Sequence, residues 1–141
     1  MKSVFDNILS KVALRPIAAS SEQVGVAIDT LGYSSLMVTV ENGAATGTPD
    51  SYVVDGKITE CATSGGSYTD ITGAVITQMT ANNKSAQIRV DGLNDGTRLR
   101  YIKVVVTPAM TGGTSPKALV SANCMLGRGQ KLPVGNSATP A

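Results

Sequence analysis

The chain has 141 residues, of which 42% are hydrophobic and 16% are charged, and this composition is typical of a globular protein. A chain of this length forms one domain and can bury a core without disulfides or structural metals. Twelve Lys and Arg side chains stand against ten Asp and Glu, and the basic residues are scattered along the sequence. Nucleic-acid binding through phosphate neutralisation needs a basic patch, so we expect no nucleic-acid partner.

The two cysteines, Cys61 and Cys124, are far apart, and the chain has no histidine that could complete a zinc site. We interpret both as buried free thiols, although a disulfide would require only that their Cα atoms lie within about 7 Å. General acid–base catalysis usually draws on histidine, and no Gly-x-Ser-x-Gly or phosphate-binding glycine motif is present. The sequence therefore predicts a protein without enzymatic activity, metal or cofactor.

The amino terminus is the natural place to look for a targeting segment. It carries Lys2 but no apolar run of secretory length, because Asp6, Asn7 and Lys11 interrupt it. No segment approaches the roughly 20 apolar residues of a membrane span. We therefore expect synthesis in the cytoplasm and no membrane partner.

The first 20 residues are predicted to form an arm, either a short helix or a docked extension. Phe5, Ile8, Leu9 and Val12 would share one face of a helix over residues 4–14, and Pro16 would prevent its continuation. Two interpretations stay open. The arm either covers its own domain or grips a neighbouring subunit, in which case these four apolar side chains are its contact residues.

Residues 21–127 form the predicted body, in which short runs alternate between apolar and polar positions as β-strands do. Residues 51–61 contain Asp55-Gly56, a hairpin signal, but the hairpin arms would be only about four or five residues long. One long strand with a bulge or bend at Gly56 is favoured. The inward-facing residues of the other early strands are predicted as Val24, Val26, Ile28, Leu36, Val38, Val40, Ile88 and Val90.

Residues 98–107 are the longest uninterrupted run of strand-forming residues, and they predict a central strand that ends before Pro108. A last strand is predicted over residues 118–126, and residues 128–141 form an extended tail without periodicity. The apolar faces of these two strands are predicted as Ile102, Val104, Val106, Val120, Ala122, Cys124 and Leu126. Seven to nine short strands predict an all-β fold, a β-sandwich of jelly-roll or immunoglobulin-like type, with a closed barrel as the structural alternative.

Basic and aromatic residues meet in the predicted central strand, where Arg98, Arg100, Tyr101 and Lys103 could form a base-stacking platform. A single tyrosine offers little surface for base stacking, so an interface or a solvated strand face is favoured. A carbohydrate-binding or host-adhesion module would favour clustered Trp or Tyr, and the chain has no Trp. The turn at residues 91–96 has acidic side chains, but their spacing does not match a calcium loop.

Four segments carry a resemblance to a known family: residues 27–36 (AIDTLGYSSL), 67–71 (SYTDI), 99–107 (LRYIKVVVT) and 118–127 (ALVSANCMLG). In their order they resemble small virion proteins of tailed phages that are often encoded near the major capsid gene. The similarity spans most of residues 24–127. Where relatives tend to have a Ser-Asp-Asp-Gly type of turn, this chain has CATSGG at residues 61–66.

The resemblance implies a capsid decoration, or cement, protein on the outer surface of the virion. Its partners would be the major capsid protein and copies of itself, commonly in a homotrimer. Contacts to these partners would come from the arm residues named above and from Arg128, Lys131, Leu132 and Val134 in the tail. Another virion component, such as a head–tail or tail-associated protein, is the alternative.

Overall fold

The computed structural model describes the backbone of residues 4–127 and the side chains of residues 6–127. Two antiparallel sheets face each other across one apolar core, so the predicted β-sandwich is confirmed. Sheet A has the strand order β1-β9-β4-β7, and sheet B has the order β2-β8-β5-β6, with β3 also paired to β8. The elements are α1 (Val4–Asn7), β1 (Ile8–Ala19), β2 (Gln23–Val24), β3 (Ile28–Asp29), β4 (Ser35–Asn42), β5 (Ser51–Cys61), β6 (Thr69–Val75), β7 (Ser85–Asp91), β8 (Tyr101–Thr111) and β9 (Ala118–Gly127).

The core is built by the alternate residues that the period of two directs inward from each sheet. Most of the residues predicted from this alternation are buried, but Val24 and Val26 are about half exposed. The first predicted strand is split into β2 and β3, and between them Val26 N–H donates to the Ala13 carbonyl of β1. This bond joins one edge of sheet A to one edge of sheet B. The bulkiest fully buried side chains are Ile28, Ile58, Ile102, Leu126, Val38, Val40, Val54, Val104 and Val106.

The helix predicted over residues 4–14 is wrong beyond one turn, because α1 ends at Asn7 and β1 begins at Ile8. β1 pairs with β9 from Ile8↔Gly127 to Ala19↔Ala118, with irregularities between Val12 and Leu14 and between Leu14 and Ile17. Residues 8–19, assigned to an arm by the sequence, are thus an edge strand of sheet A. Pairing along the whole of β9 outweighs the apparent helical periodicity of a short segment. Pro16 lies within the second irregularity, where a missing N–H is tolerated.

The central strand of sheet B extends four residues beyond its predicted end and contains Pro108, which lies opposite Val54. The Val54 N–H donates to the Met79 carbonyl at 2.8 Å, and the Val54 carbonyl accepts the Met79 N–H at 3.0 Å. Pro108 and Val54 therefore form a non-hydrogen-bonded pair, and the proline nitrogen points away from β5. Because β2 begins at Gln23, opposite Val106, its pairing with β8 stops two residues short of Pro108, and no described neighbouring strand needs an N–H from this proline.

The choice between a hairpin and a single strand at residues 51–61 is settled in favour of the single strand β5. Its register with β8 is continuous through Gly56, so the predicted bulge or bend is absent there. Gly56 is buried, and a Cβ added to it would lie 3.2 Å from Ile76 Cδ1 and 3.3 Å from Val40 Cγ2. The glycine therefore serves the packing between the two sheets and makes no turn.

Candidate interaction surfaces

The two terminal strands meet at one end of the sandwich, which we call the terminal end. Ile8, the first residue of β1, is paired with Gly127, the last residue of β9, and Ser35 of β4 is paired with the same glycine. An open depression of about 230 Å³ lies here on the outer face of sheet A. Its lining includes Ile8, Ser35, Met37, Arg89, Met125 and Gly127. Gly127 has no side chain, and the space that it leaves between Ile8 and Ser35 contributes to the depression.

The contact residues predicted in the first segment point to different sides of β1. Ile8 is partly exposed at the terminal depression, and Val12 is 53% exposed opposite Asn123 on the outer face of sheet A. Leu9 packs in the core and is paired with Leu126, so it does not contribute to this outer face. The side chain of Phe5 lies outside the described residues. The tail residues Arg128, Lys131, Leu132 and Val134 lie outside them as well.

The basic residues considered as a base-stacking platform already have partners within the domain. Arg100 forms a bidentate pair with Asp29 and lies 5.1 Å from the centre of the Tyr101 ring. Lys103 lies 4.5 Å from the centre of the Tyr68 ring. These contacts make the positive charges components of the sheet B surface.

The pair between Asp29 and Arg100 joins β3 to the residue before β8. Nε and one terminal nitrogen of Arg100 donate to the two Asp29 carboxylate oxygens at 2.9 and 2.7 Å. The hydrogen bond from Arg100 is the main cause of a lowered pKa of Asp29, and the Leu31 N–H, which also donates to the carboxylate, adds to it. The sequence of residues 29–34 predicts a turn in which Asp29 accepts backbone amides, but it does not predict the arginine partner, which is 71 residues away.

Glu60 is a charged side chain that faces inward at the terminal end of sheet B and is only 7% exposed. Its Oε2 accepts the Leu99 N–H at 3.1 Å and lies 3.7 Å from Nε of Arg98. A buried carboxylate needs such partners, because leaving it unpaired would be costly. Glu60 thus fastens the segment before β8 across the end of the core. The strand alternation places Glu60 inward, but nothing in the sequence identifies its partners.

Asn42 fastens the opposite end of the sandwich. Its Nδ2 donates to Tyr52 Oη at 2.6 Å and to the Ala81 carbonyl at 2.9 Å, and its Oδ1 accepts the Lys84 N–H at 2.6 Å. The residue is 6% exposed. The small and polar residues 42–49 predict an exposed loop that begins at Asn42, whereas the structure makes Asn42 the buried last residue of β4.

The remaining candidates for chemistry have structural roles in the described part of the chain. Asp95 Oδ1 accepts the N–H and the hydroxyl of Thr97, as in an ordinary turn, and these bonds lower its pKa. Cys61 and Cys124 are buried free thiols, as predicted, and burial raises the pKa of Cys124 to about 12. Within residues 4–127, no group of three or more His, Cys, Asp or Glu side chains is placed to hold a metal ion.

The fold and these surfaces define a small all-β sandwich. No protein-family model matches the chain, and no curated protein matches it. Solved structures similar to it include the SPBc2 prophage-derived protein YomS, at 15% identity and a TM-score of 0.48, covering 89% of this chain and 97% of that one. Others are a Bacillus endospore appendage pilus protein, at 11% identity and 0.41, with coverages of 90% and 95%, and a chain of empty cowpea mosaic virus particles, at 7% and 0.45, with 96% and 93%. None of the described helices is long and apolar enough to cross a membrane.

Proposed function

We propose that the protein is a noncatalytic capsid decoration protein of a tailed phage, which binds the outer surface of the major capsid lattice and stabilises the head. The resemblance of residues 24–127 to small phage virion proteins supports this proposal. So does the sandwich architecture that the resemblance implies. The alternative within the same class is a head–tail or tail-associated component.

The observation that carries the proposal is the arrangement at the terminal end. Because Ile8 and Gly127 are directly paired, the segments that precede β1 and follow β9 both join the body at this end. A protein that contacts a lattice through its terminal segments would then turn this end toward the lattice. The terminal depression would add surface from the folded body to that contact.

The chemistry of the terminal depression suits a protein partner. Met37 and Met125 lie side by side across β4 and β9, and Arg89 flanks Met37 on β7. Methionine side chains adapt their shape to a partner, and both Met and Arg are enriched at protein interfaces. We propose the major capsid protein as the partner, with Ile8 among the contact residues. Weak contacts of this kind, repeated over many lattice positions or within a homotrimer, would give stable decoration through avidity.

The proposal is tested by adding purified protein to phage capsids that lack it and measuring the bound fraction by sedimentation. Met37→Asp together with Met125→Asp puts charge on the terminal depression without touching the core. We expect these changes to weaken binding at least tenfold, corresponding to about 1.4 kcal/mol. Ala44→Asp is the matched control, because Ala44 is exposed in the loop after β4, at the opposite end. Equal binding of the depression variant and the control would contradict this docking geometry.

Removal of residues 1–20 would not test docking through the terminal end separately from folding. It would delete β1 and with it the buried Leu9, Ala13, Leu14 and Ala19. The loss of binding could then reflect unfolding. Removal of residues 1–6 keeps β1 and is the better truncation.

Cryo-electron microscopy of virions separates decoration from the alternative role. Decoration predicts density for this protein over the whole shell, whereas a tail component predicts density at one vertex. A glycan array tests the carbohydrate-binding class that the sequence leaves open. Reproducible sugar binding together with a shell that lacks the protein would contradict the proposal.

A further inference from the structure

The outer face of sheet B carries an apolar row that crosses all four main strands. Val24 of β2 is paired with Val105 of β8, Val105 with Lys57 of β5, and Lys57 with Val75 of β6. We call these four residues the valine row. Val24 is 53% exposed and Val75 is 58% exposed, while Val105 lies between its neighbours at 6%. The aliphatic stem of Lys57 continues the apolar surface, and its ammonium group is neutralised by Asp70 at 3.0 Å.

The charges on the two sides of the valine row differ in sign. On the side toward the terminal end, Lys103 lies two positions before Val105 on β8. On the other side, Asp55 is paired with Thr107, and Glu22 lines the same depression as both of them, next to Gln23, which is paired with Val106. Asp70 is on the same side as Lys103, since both are aligned with Thr59, but its charge is balanced by Lys57. Lys103 therefore makes this flank basic. Glu22 and Asp55, whose carboxylate also accepts the Gln78 amide, make the other flank acidic.

We propose that this face binds the same face of a second copy of the chain, through a twofold axis that runs along the valine row. Such an axis lays each valine row on its counterpart and reverses the strand direction. Lys103 of one copy then lies over Thr107 of the other, between Glu22 and Asp55. The rotation forms this contact twice, once on each side of the axis. A twofold interface must be self-complementary, and opposite charges flanking an apolar row meet that requirement.

The face is large enough for a specific contact. The strands β2, β8, β5 and β6 hold 2, 11, 11 and 7 residues, and each residue covers about 3.4 Å along the strand and about 4.8 Å across it. The face is then on the order of 500 Å² for each copy, or about 1,000 Å² for the pair, which is near the lower limit of a specific interface. Single exposed valines are common on protein surfaces, but Val24 and Val75 stand in one line with Val105 and the stem of Lys57 between them. A continuous apolar strip of this kind is typical of an interface core.

This contact goes beyond the proposed function and does not depend on it, because it needs no capsid. A twofold contact gives assemblies with an even number of copies. If a homotrimer forms through other surfaces, the sheet B face joins two trimers into a hexamer. The mass of the full-length protein in solution is therefore the direct measurement.

The experiment measures that mass by analytical ultracentrifugation up to about 100 µM, well above a micromolar dissociation constant. We expect dimers or another even assembly, and a dissociation constant raised at least 100-fold by Val24→Lys together with Val75→Lys. Leu119→Lys is the matched control, because Leu119 is 44% exposed on the outer face of sheet A. It should associate as the unmodified chain does. Circular dichroism of each variant verifies that the sandwich is folded.

A charge exchange tests the geometry itself. Lys103→Glu alone and Asp55→Lys alone each place like charges opposite one another and should weaken association at least tenfold. The two changes together should restore it, because opposite charges meet again across the axis. Monomers or trimers of the unmodified chain at the highest concentration would overturn the proposal, whether or not the protein binds capsids. So would valine-row variants that associate as the control does, or a charge exchange without recovery.

Discussion

Asn42 offers the sharpest test of how the end of the sandwich opposite the termini is held. Asn42→Ala removes three hydrogen bonds, to Tyr52 Oη, to the Ala81 carbonyl and to the Lys84 N–H. A hydrogen bond contributes about 1 kcal/mol net, and buried partners left unpaired add to the cost. We therefore expect the free energy of unfolding to fall by about 3 kcal/mol.

Urea unfolding followed by far-ultraviolet circular dichroism measures this change. The midpoint should fall while the slope of free energy against urea concentration stays the same, because the surface exposed on unfolding is unaltered. Tyr52→Phe deletes only one of the three bonds and should cost about 1 kcal/mol. In the double variant the two losses should not add, because they share that bond.

Asn82→Ala is the matched control for Asn42→Ala. Asn82 is exposed and its Oδ1 accepts a single bond, from the Ala45 N–H. This variant should lose less than about 1 kcal/mol. If Asn42→Ala costs no more than Asn82→Ala, the network is not what holds this end of the sandwich, and the assignment is refuted.

Three further predictions concern the rest of the domain. Gly25→Ala should cost about 3 kcal/mol in urea unfolding, because its Cβ would collide with a backbone carbonyl of β1, whereas Gly65→Ala, which has open space, should be neutral or slightly stabilising. The pKa of Asp29 is lowered in the folded state by Arg100, so its stabilising effect is present above the unfolded pKa of about 3.9 and is lost as the pH falls through the folded value. Thermal unfolding should therefore show a steeper loss of stability below pH 4 for the unmodified chain than for Asp29→Asn, and parallel curves would count against the pair. In a chain without its other thiol, Cys124 should resist a thiol reagent at pH 8 until urea unfolds the protein, because burial raises its pKa to about 12, and fast labelling of the folded form would contradict this burial.

The positions of most strands follow from the sequence alone, because alternation of apolar and polar residues is a local signal. β4, β7, β8 and β9 have buried faces at the residues that the alternation predicts, such as Val38, Ile88, Val104 and Cys124. The expectation that the chain has no zinc site likewise rests on composition, because the sequence contains no histidine. These properties do not depend on which strands become neighbours.

Only the tertiary structure decided the role of the first 20 residues and the long-range contacts. Residues 8–14 fit a helical period, and they form a strand because β9, more than 100 residues later, offers an edge to pair with. Pro108 is accepted within β8 because the pairing of β2 with β8 stops two residues short of it, and Asp29 meets Arg100 because β3 lies beside β8. Each outcome depends on which backbone groups are left to pair once the sheets have formed, and a local pattern carries no information about that.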